Sequence, residues 1–237
     1  TGSAHAGQHI HRTFAGRPEI VLALELGGNN PLIAWPPADV GATANIIAHS
    51  AFVTSGQRCS CARRLIVPDD QWGRDVLDEL KRLAGAISVG AWNANPEPFM
   101  GPLVRAHAAE AAEKFVGTLV ASGGREIEPF SRDGAFVRPA IVDMTAASEP
   151  ADEELFGPVL QVWRVRTFEE ALERANATRF GLAGGLISDD PALWERVRIE
   201  LRAGVLNWNR PTTGASGAMP FGGPGLSGSA RPSASYA

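Results

Sequence analysis

Strand-like and helix-like segments alternate along most of this 237-residue chain, and the alternation limits the fold more than any other feature. Repeated βα units build a parallel sheet with helices on both faces, and ligands of such sheets bind at the carboxyl ends of the strands. The predicted strands are residues 19–26, 31–35, 64–67, 136–142, 158–165 and 182–187. The predicted helices are residues 39–53, 70–83 with Asp69 or Asp70 as the cap, 106–122, 167–177 and 191–203. We therefore predict an α/β fold with an open, mostly parallel sheet flanked by helices, followed by loop from residue 209.

The composition is that of a globular protein, with 44% hydrophobic and 20% charged residues. A formal net charge of −4 argues against nucleic acid or an anionic membrane as a partner, since both attract a concentrated basic face. No apolar run has membrane-spanning length. The two cysteines lie one residue apart, which makes a poor disulfide, so we predict reduced thiols and a cytoplasmic location.

Three histidines near the start of the chain are candidate metal ligands. His5 and His9 have the i, i+4 spacing of ligands on a helix, and His11 follows them. No carboxylate or thiol lies at ligand spacing from these histidines. We therefore predict a solvated helix face and no metal site.

Cys59 is the candidate nucleophile, in a loop between the predicted helix 39–53 and the predicted strand 64–67. A core position is the commoner fate of a lone thiol, but the flanking Gly, Gln, Arg and Ser residues are too polar for a core. Backbone N–H groups of such a turn can lower the pKa of the thiol and later hold an oxyanion. Cys61 is predicted to be a small packing residue.

A nucleophilic thiol needs a base, and Glu25 is the candidate. It closes the apolar run 19–26 and precedes Gly27 and Gly28, where the chain turns. Burial beside apolar neighbours would raise its pKa toward the range in which a carboxylate takes a proton from water. The alternative is a capping or salt-bridging carboxylate, and the pairing with the Cys59 loop favours the base.

Two motifs resemble the active-site pair of the NAD(P)-dependent aldehyde dehydrogenase superfamily. They are Glu-Leu-Gly-Gly-Asn-Asn-Pro at residues 25–31 and Gly-Gln-Arg-Cys at residues 56–59. The continuation Ser-Cys-Ala-Arg-Arg is similar to the N-succinylglutamate 5-semialdehyde dehydrogenase branch. The resemblance implies NAD-dependent oxidation of N-succinyl-L-glutamate 5-semialdehyde to N-succinyl-L-glutamate, in arginine catabolism, through a thiohemiacetal and a thioester on Cys59. It also implies Glu25 as the base for hydrolysis, NAD as the cofactor and a homo-oligomer in the full-length enzyme.

The resemblance implies cofactor contacts at two places. Gly2, Ser3 and Gly7 form a turn before a helix, at the position of the family's pyrophosphate-contacting turn, and a plain helix start is the alternative. In the Glu-Glu-Leu-Phe-Gly-Pro segment, it implies that Glu154 binds the nicotinamide ribose hydroxyls and that Phe156 packs beside the nicotinamide ring. Taken without the resemblance, this segment would be an acidic helix end before a strand.

Arg58, Arg210 and Phe221 are the candidates for substrate contact. N-succinylglutamate semialdehyde keeps two carboxylates besides its aldehyde, and guanidinium groups suit them, although most arginines are surface residues that make weak pairs. Phe221 opens a Phe-Gly-Gly-x-x-x-Ser-Gly loop that resembles the family's loop, whose Phe walls the substrate tunnel.

The resemblance also implies a domain layout. Residues 1–26 would be a C-terminal remnant of the NAD-binding domain, residues 27–225 the thiol-bearing catalytic domain, and residues 226–237 a tail leading toward an oligomerisation strand. The family's oxyanion-stabilising Asn lies outside this sequence. The chain also supplies no complete cofactor domain, so the hydride acceptor would bind poorly and we expect the 237-residue chain to be inactive alone. Two alternatives stay open: a non-catalytic fragment without a cofactor domain, or an aldehyde dehydrogenase for another semialdehyde.

Overall fold

A seven-stranded sheet forms the centre of the computed structural model, which describes residues 1–230. The strands are β1 (Asn30–Ala34), β2 (Ala62–Pro68), β3 (Arg125–Glu128), β4 (Arg132–Asp133), β5 (Phe136–Val137), β6 (Ala140–Asp143), β7 (Val159–Val165), β8 (Ala183–Ile187) and β9 (Val205–Trp208). The helices are α1 (Ala4–Thr13), α2 (Val40–Phe52), α3 (Gln71–Ala86), α4 (Ala106–Ala121), α5 (Phe168–Asn176) and α6 (Pro191–Glu200). Strands β4 and β5 form a separate hairpin.

The main sheet has the order β3-β6-β7-β2-β1-β8-β9, and neighbouring strands are parallel except for β3 and β6. Parallel neighbours need a crossover between them, and helices such as α2 between β1 and β2 supply it. The predicted open, mostly parallel α/β sheet is therefore confirmed.

Helices cover both faces of the sheet. Successive residues on the central strands point to opposite faces, and apolar residues occur on both, so each face needs a covering layer. Leu32 of β1 pairs with Leu65 of β2, and both are fully buried in a core built with α2 and α3. The next pair, Ile33 and Ile66, is fully buried in a second core built with α5 and α6. The strands are thus apolar on both faces, as buried parallel strands are.

Residues 19–26 were predicted to form a strand, and this prediction was wrong. The segment forms only isolated bridges at its end, Glu25 with Gly228 and Leu26 with Gly2. A strand needs a continuous ladder, and the described chain provides single pairings here. The predicted tail begins at the short helical turn Gly225–Ser227, and its residues 231–237 lie outside the described part of the chain.

The other differences occur in the outer strands. The predicted strand 136–142 is two strands, β5 and β6, because Pro139 lies between them and has no N–H to donate to a ladder. Strand β3 was not predicted, since its Arg-Glu-Ile-Glu sequence is polar and largely exposed. Strand β9 was also missed, and it is a half-buried edge strand of four residues.

Most helices begin at a polar cap. Side chains of the preceding residue accept a first-turn N–H in α1, α2, α3, α5 and α6; these residues are Ser3, Asp39, Asp70, Thr167 and Asp190. The predicted cap at Asp70 is confirmed. None of the helices within residues 1–230 combines the length and the apolar character needed to cross a membrane.

Candidate active site

A tight left-handed turn leads from α2 into the loop that carries Cys59. Thr54, Ser55 and Gly56 have φ values of 53°, 56° and 67°, a region in which residues with a side chain are strained. The Ser55 hydroxyl donates to the Gly101 carbonyl at 2.7 Å, and Gln57 Oε1 accepts the backbone N–H of the residue at position 104 at 2.8 Å. These side-chain bonds fix the turn to the segment before α4.

Asn30 anchors the far side of the same loop, a role that was not predicted although Asn30 belongs to the motif at residues 25–31. Its buried amide donates to the carbonyls of Cys59 at 2.7 Å and Cys61 at 2.8 Å, and its Oδ1 accepts the Ala183 N–H at 3.0 Å. Cys59 is partly exposed, whereas Cys61 is fully buried. The loop therefore presents one thiol to the outside and packs the other inside.

Cys59 faces a cavity of about 370 Å³ together with most of the predicted catalytic and cofactor residues. Four separate segments line it: residues 1–3, residues 25–27, Cys59, and the pair Glu154 and Phe156. Gly7 is not among the lining residues, because it lies inside α1 packed against Leu26.

The cavity lies at the amino ends of the strands, which corrects the prediction that ligands bind at the carboxyl ends. Glu25 precedes β1, Cys59 precedes β2, and Glu154 with Phe156 precede β7. These strands are parallel, so the segments before them meet at one edge of the sheet. The catalytic and cofactor candidates converge there because each comes from an incoming loop.

Glu154 is held against the Gly27-Gly28 turn. Its Oε1 accepts the Gly28 N–H at 2.9 Å, and a Cβ added at Gly27 would overlap the Glu154 carboxylate. Burial raises the pKa of Glu154, while the Gly28 N–H and the charge of Arg63 oppose that rise. Phe156 leaves 44% of its surface exposed at the cavity wall.

The pKa of Cys59 is raised above its ordinary value, first by burial and then by the negative charges of Glu154 and Glu25. The N–H groups of Cys59 and Ser60 lower it, as the sequence predicted for such a turn, but their effect is the smaller one. The predicted lowering by the turn is therefore present, but the net shift of the pKa is upward. Burial of the thiol is the main reason, and the two carboxylates of the same cavity add to it.

Asp152 fixes the segment that carries Glu154 and Phe156 to the neighbouring loops. This role of Asp152 was not predicted from the sequence. Its Oδ1 accepts from Asn29 Nδ2 at 2.9 Å and from Thr178 Oγ1 at 2.7 Å, and its Oδ2 accepts the Arg179 N–H at 2.7 Å. Burial raises the pKa of Asp152, but these hydrogen bonds and Arg64 outweigh burial, so the net shift is downward. The position of an acidic residue two places before Glu154 was the only feature of the sequence that could have indicated this role.

The predicted substrate residues do not line the Cys59 cavity. Arg210 and Phe221 line a second cavity of about 390 Å³, between β9 and the loop 214–221. Arg58 is exposed, and its Nε donates to the Thr54 hydroxyl at 3.2 Å within its own loop.

The three N-terminal histidines are exposed on α1. Within residues 1–230, no group of three or more His, Cys, Asp or Glu side chains is arranged to hold a metal ion.

Gly56→Ala tests how strictly the turn is built. An alanine at this position would have to keep a positive φ, and its methyl group would overlap the Gly157 carbonyl oxygen. We expect a loss of about 2–4 kcal/mol in the free energy of unfolding, from left-handed strain plus a backbone clash. Urea denaturation measures it. The matched control is Gly117→Ala in α4, where nothing lies within 4 Å and the change should stabilise slightly; equal effects of the two substitutions would contradict this account.

The chain is similar to known proteins over its whole length. The whole chain, residues 1–237, matches the family model described as the aldehyde dehydrogenase family. The N-succinylglutamate 5-semialdehyde dehydrogenase 2 of Caulobacter vibrioides is 55% identical over 244 residues, which cover 100% of this chain and 49% of that protein. The chain thus spans about half the length of the curated relatives it matches.

Two solved structures are similar as well. A 1-pyrroline-5-carboxylate dehydrogenase from Thermus with bound NAD superposes with a TM-score of 0.84 at 34% identity, over 96% of this chain and 45% of that one. The glyceraldehyde-3-phosphate dehydrogenase GapN of Methanocaldococcus jannaschii, complexed with NADP, gives 0.85 at 28% identity, over 95% of this chain and 48% of that one. Since a family model covers its full length and a relative is 55% identical throughout, this chain belongs to the aldehyde dehydrogenase family.

Proposed function

We propose that this chain carries the thiol site of an enzyme that oxidises N-succinyl-L-glutamate 5-semialdehyde to N-succinyl-L-glutamate with NAD. The observation that carries the proposal is the single cavity lined by Cys59, Glu25, Glu154 and Phe156. A nucleophile, a carboxylate base and groups suited to a nucleotide are what this oxidation requires. The substrate is supported by the names of relatives that are 49% to 55% identical. We place the reaction in arginine catabolism, in the cytoplasm, and in a homo-oligomer.

The residues in the cavity fit a nicotinamide cofactor. Glu154 offers a carboxylate to ribose hydroxyls, and the exposed Phe156 ring offers an apolar surface to the nicotinamide. Gly2 and Ser3 lie at the start of α1, where N–H groups suit a phosphate. Bound here, the nicotinamide would supply a hydride acceptor. The solved relatives hold NAD in one case and NADP in another, and the branch resemblance supports NAD.

Cys59 begins the reaction by adding to the aldehyde carbon. Its raised pKa lowers the fraction of thiolate, the reactive form, and this fraction grows as the pH rises. The thiolate forms the C–S bond, and the carbonyl oxygen becomes an oxyanion that the Cys59 N–H can stabilise. Loss of hydride from the same carbon restores the C=O bond and leaves a thioester on Cys59.

Glu25 completes the reaction by activating water. Glu25 lines the same cavity as Cys59, and its carboxylate takes a proton from the attacking water molecule. The hydroxide adds to the thioester carbon, the C–S bond breaks, and the Cys59 thiolate leaves. The product is a carboxylic acid, and the free thiol is restored by a proton from solvent.

The second cavity supports recognition of the succinyl-bearing end of the substrate. Its Arg210 guanidinium can bind a carboxylate in a forked geometry, and Phe221 supplies an apolar wall. The rival substrate is a semialdehyde without the succinyl group, which the 34% identity to a 1-pyrroline-5-carboxylate dehydrogenase favours. The other rival is a non-catalytic role for this chain.

The test compares kcat/KM for N-succinylglutamate semialdehyde and for glutamate semialdehyde in the full-length enzyme. We expect a preference of about 100-fold for the succinylated aldehyde, because a site built for a charged group rejects an analogue that lacks it. Arg210→Met should remove most of this preference. The control Arg198→Met changes an exposed arginine on α6 that pairs with Glu195, and it should leave the preference unchanged. Equal rates with both aldehydes would favour the rival substrate, and no turnover would favour the non-catalytic role.

A further inference from the structure

Arg63 is a buried arginine next to the site, and the mechanism above does not use it. It lies in β2 with 2% of its surface exposed. Burying a guanidinium costs free energy unless it gains hydrogen bonds or charge partners. Its neighbour Arg64 is also buried, but it donates to the carbonyls of Asn29, Arg174 and Ala175, and so holds the end of α5. Arg64 has a structural explanation that does not apply to Arg63.

Arg63 connects two segments that line the Cys59 cavity. Its Nη2 donates to the Arg58 carbonyl at 3.0 Å, one residue before Cys59. Its Nη1 donates to the Gly157 carbonyl at 3.2 Å, and its guanidinium carbon lies 5.5 Å from the centre of the Phe156 ring. One side chain therefore sets the spacing between the thiol loop and the segment with the exposed ring.

The charge of Arg63 is not neutralised by these contacts. Both hydrogen bonds go to backbone carbonyls, and its Nε is buried without a hydrogen-bond partner in the described chain. Burial lowers the pKa of Arg63, and the negative forms of Cys61, Glu154 and Cys59 oppose that change. Arginine stays protonated in proteins, so a positive charge persists beneath the loop.

We propose that Arg63 is a positioning residue, which fixes the Cys59 loop against residues 156–157 and favours the Cys59 thiolate through its buried charge. The proposal deepens the function proposed above and rests on it. Cys59 is flanked in the cavity by the carboxylates of Glu25 and Glu154, which disfavour a second negative charge. Arg63 does not line the cavity, so its positive charge offsets the negative charges of these carboxylates without occupying the space of a substrate.

The first test measures how iodoacetamide labels Cys59 between pH 7 and pH 10.5, by mass spectrometry of the full-length protein without substrate. Arg63→Met removes the charge and keeps the buried length. We expect the labelling midpoint to rise by about one pH unit and labelling at pH 8 to slow about tenfold, since one pKa unit is a factor of ten. The matched control Arg64→Met removes the neighbouring buried charge, and it should lower stability and leave the midpoint unchanged. An unchanged midpoint in folded Arg63→Met, or an equal rise in Arg64→Met, would overturn the proposal.

The second test uses Arg63→Lys, which keeps the charge but cannot donate to both carbonyls in a forked geometry. We expect its labelling midpoint to stay within about 0.3 pH unit of the wild type. We expect its kcat to fall about tenfold with little change in the KM for aldehyde, because the thiol is less well oriented. A wild-type kcat would overturn the positioning role even where Arg63→Met does not fold. A wild-type enzyme that oxidises no aldehyde while the labelling shift persists would refute the proposed function and leave the electrostatic role of Arg63 standing.

Discussion

Cys59→Ala is expected to lower kcat for aldehyde oxidation by about 10⁴-fold or more, because no other group in the cavity can form the thioester. Cys59 is the thiol that lines the cavity of about 370 Å³, at the end of a loop fixed by Asn30 and Gln57. Spectrophotometric detection of NADH in the full-length enzyme measures the loss. Folding should be preserved, since the side chain is partly exposed and the loop is held through backbone atoms.

The matched control is Cys61→Ala. This thiol is fully buried, and its Sγ lies 3.8 Å from the Val53 carbonyl. Its loss should cost about 1 kcal/mol of stability through a small cavity and leave most of the activity. Limited iodoacetamide treatment should label Cys59 in preference to Cys61, because only Cys59 is accessible. Activity that survives Cys59→Ala but not Cys61→Ala would show that the two assignments are exchanged.

The sequence was sufficient to predict that most of the catalytic and cofactor candidates come together, because their segments carry short motifs, whereas Gly7 and the substrate candidates do not line the same cavity. Cys59, Glu25, Glu154 and Phe156 each belong to a motif, and all four line one cavity. The central strands were predictable for a similar reason, since a run such as Leu32-Ile33 is apolar on both faces of the sheet. Local patterns are informative where burial is nearly complete.

Properties that depend on spatial neighbours could not be read from the chain. The pKa of Cys59 rises first because the folded chain buries the thiol and then because two carboxylates distant in sequence lie near it, and together these outweigh the N–H groups of the local turn. Arg63 and Arg64 are adjacent arginines that the sequence does not distinguish. In the fold, Arg63 bonds to the Cys59 loop and to Gly157, whereas Arg64 bonds to the end of α5. The position of the cavity at the amino ends of the strands also departs from the general rule for such sheets.

Glu25→Gln is expected to separate the two halves of the reaction. The side chain keeps its size, and the backbone of residue 25 keeps its bridge to Gly228 and its carbonyl bond from the Gly2 N–H at 3.0 Å. Hydride loss does not need this carboxylate, so a burst of about one NADH per site should remain. Hydrolysis of the thioester needs a base, so the steady-state rate should fall by about 10²- to 10⁴-fold. Stopped-flow absorbance measures both phases.

Glu154→Gln is the matched comparison, because it removes the other carboxylate of the same cavity. Glutamine can still accept the Gly28 N–H, which preserves the local structure, but it binds ribose hydroxyls less well than a charged acceptor. Its burst should therefore become slower and its KM for NAD should rise, while thioester hydrolysis proceeds normally. The two variants thus slow opposite halves of the reaction. If Glu25→Gln lost its burst together with its steady state, Glu25 would act before the thioester forms, and the base for hydrolysis would have to be sought elsewhere in the cavity.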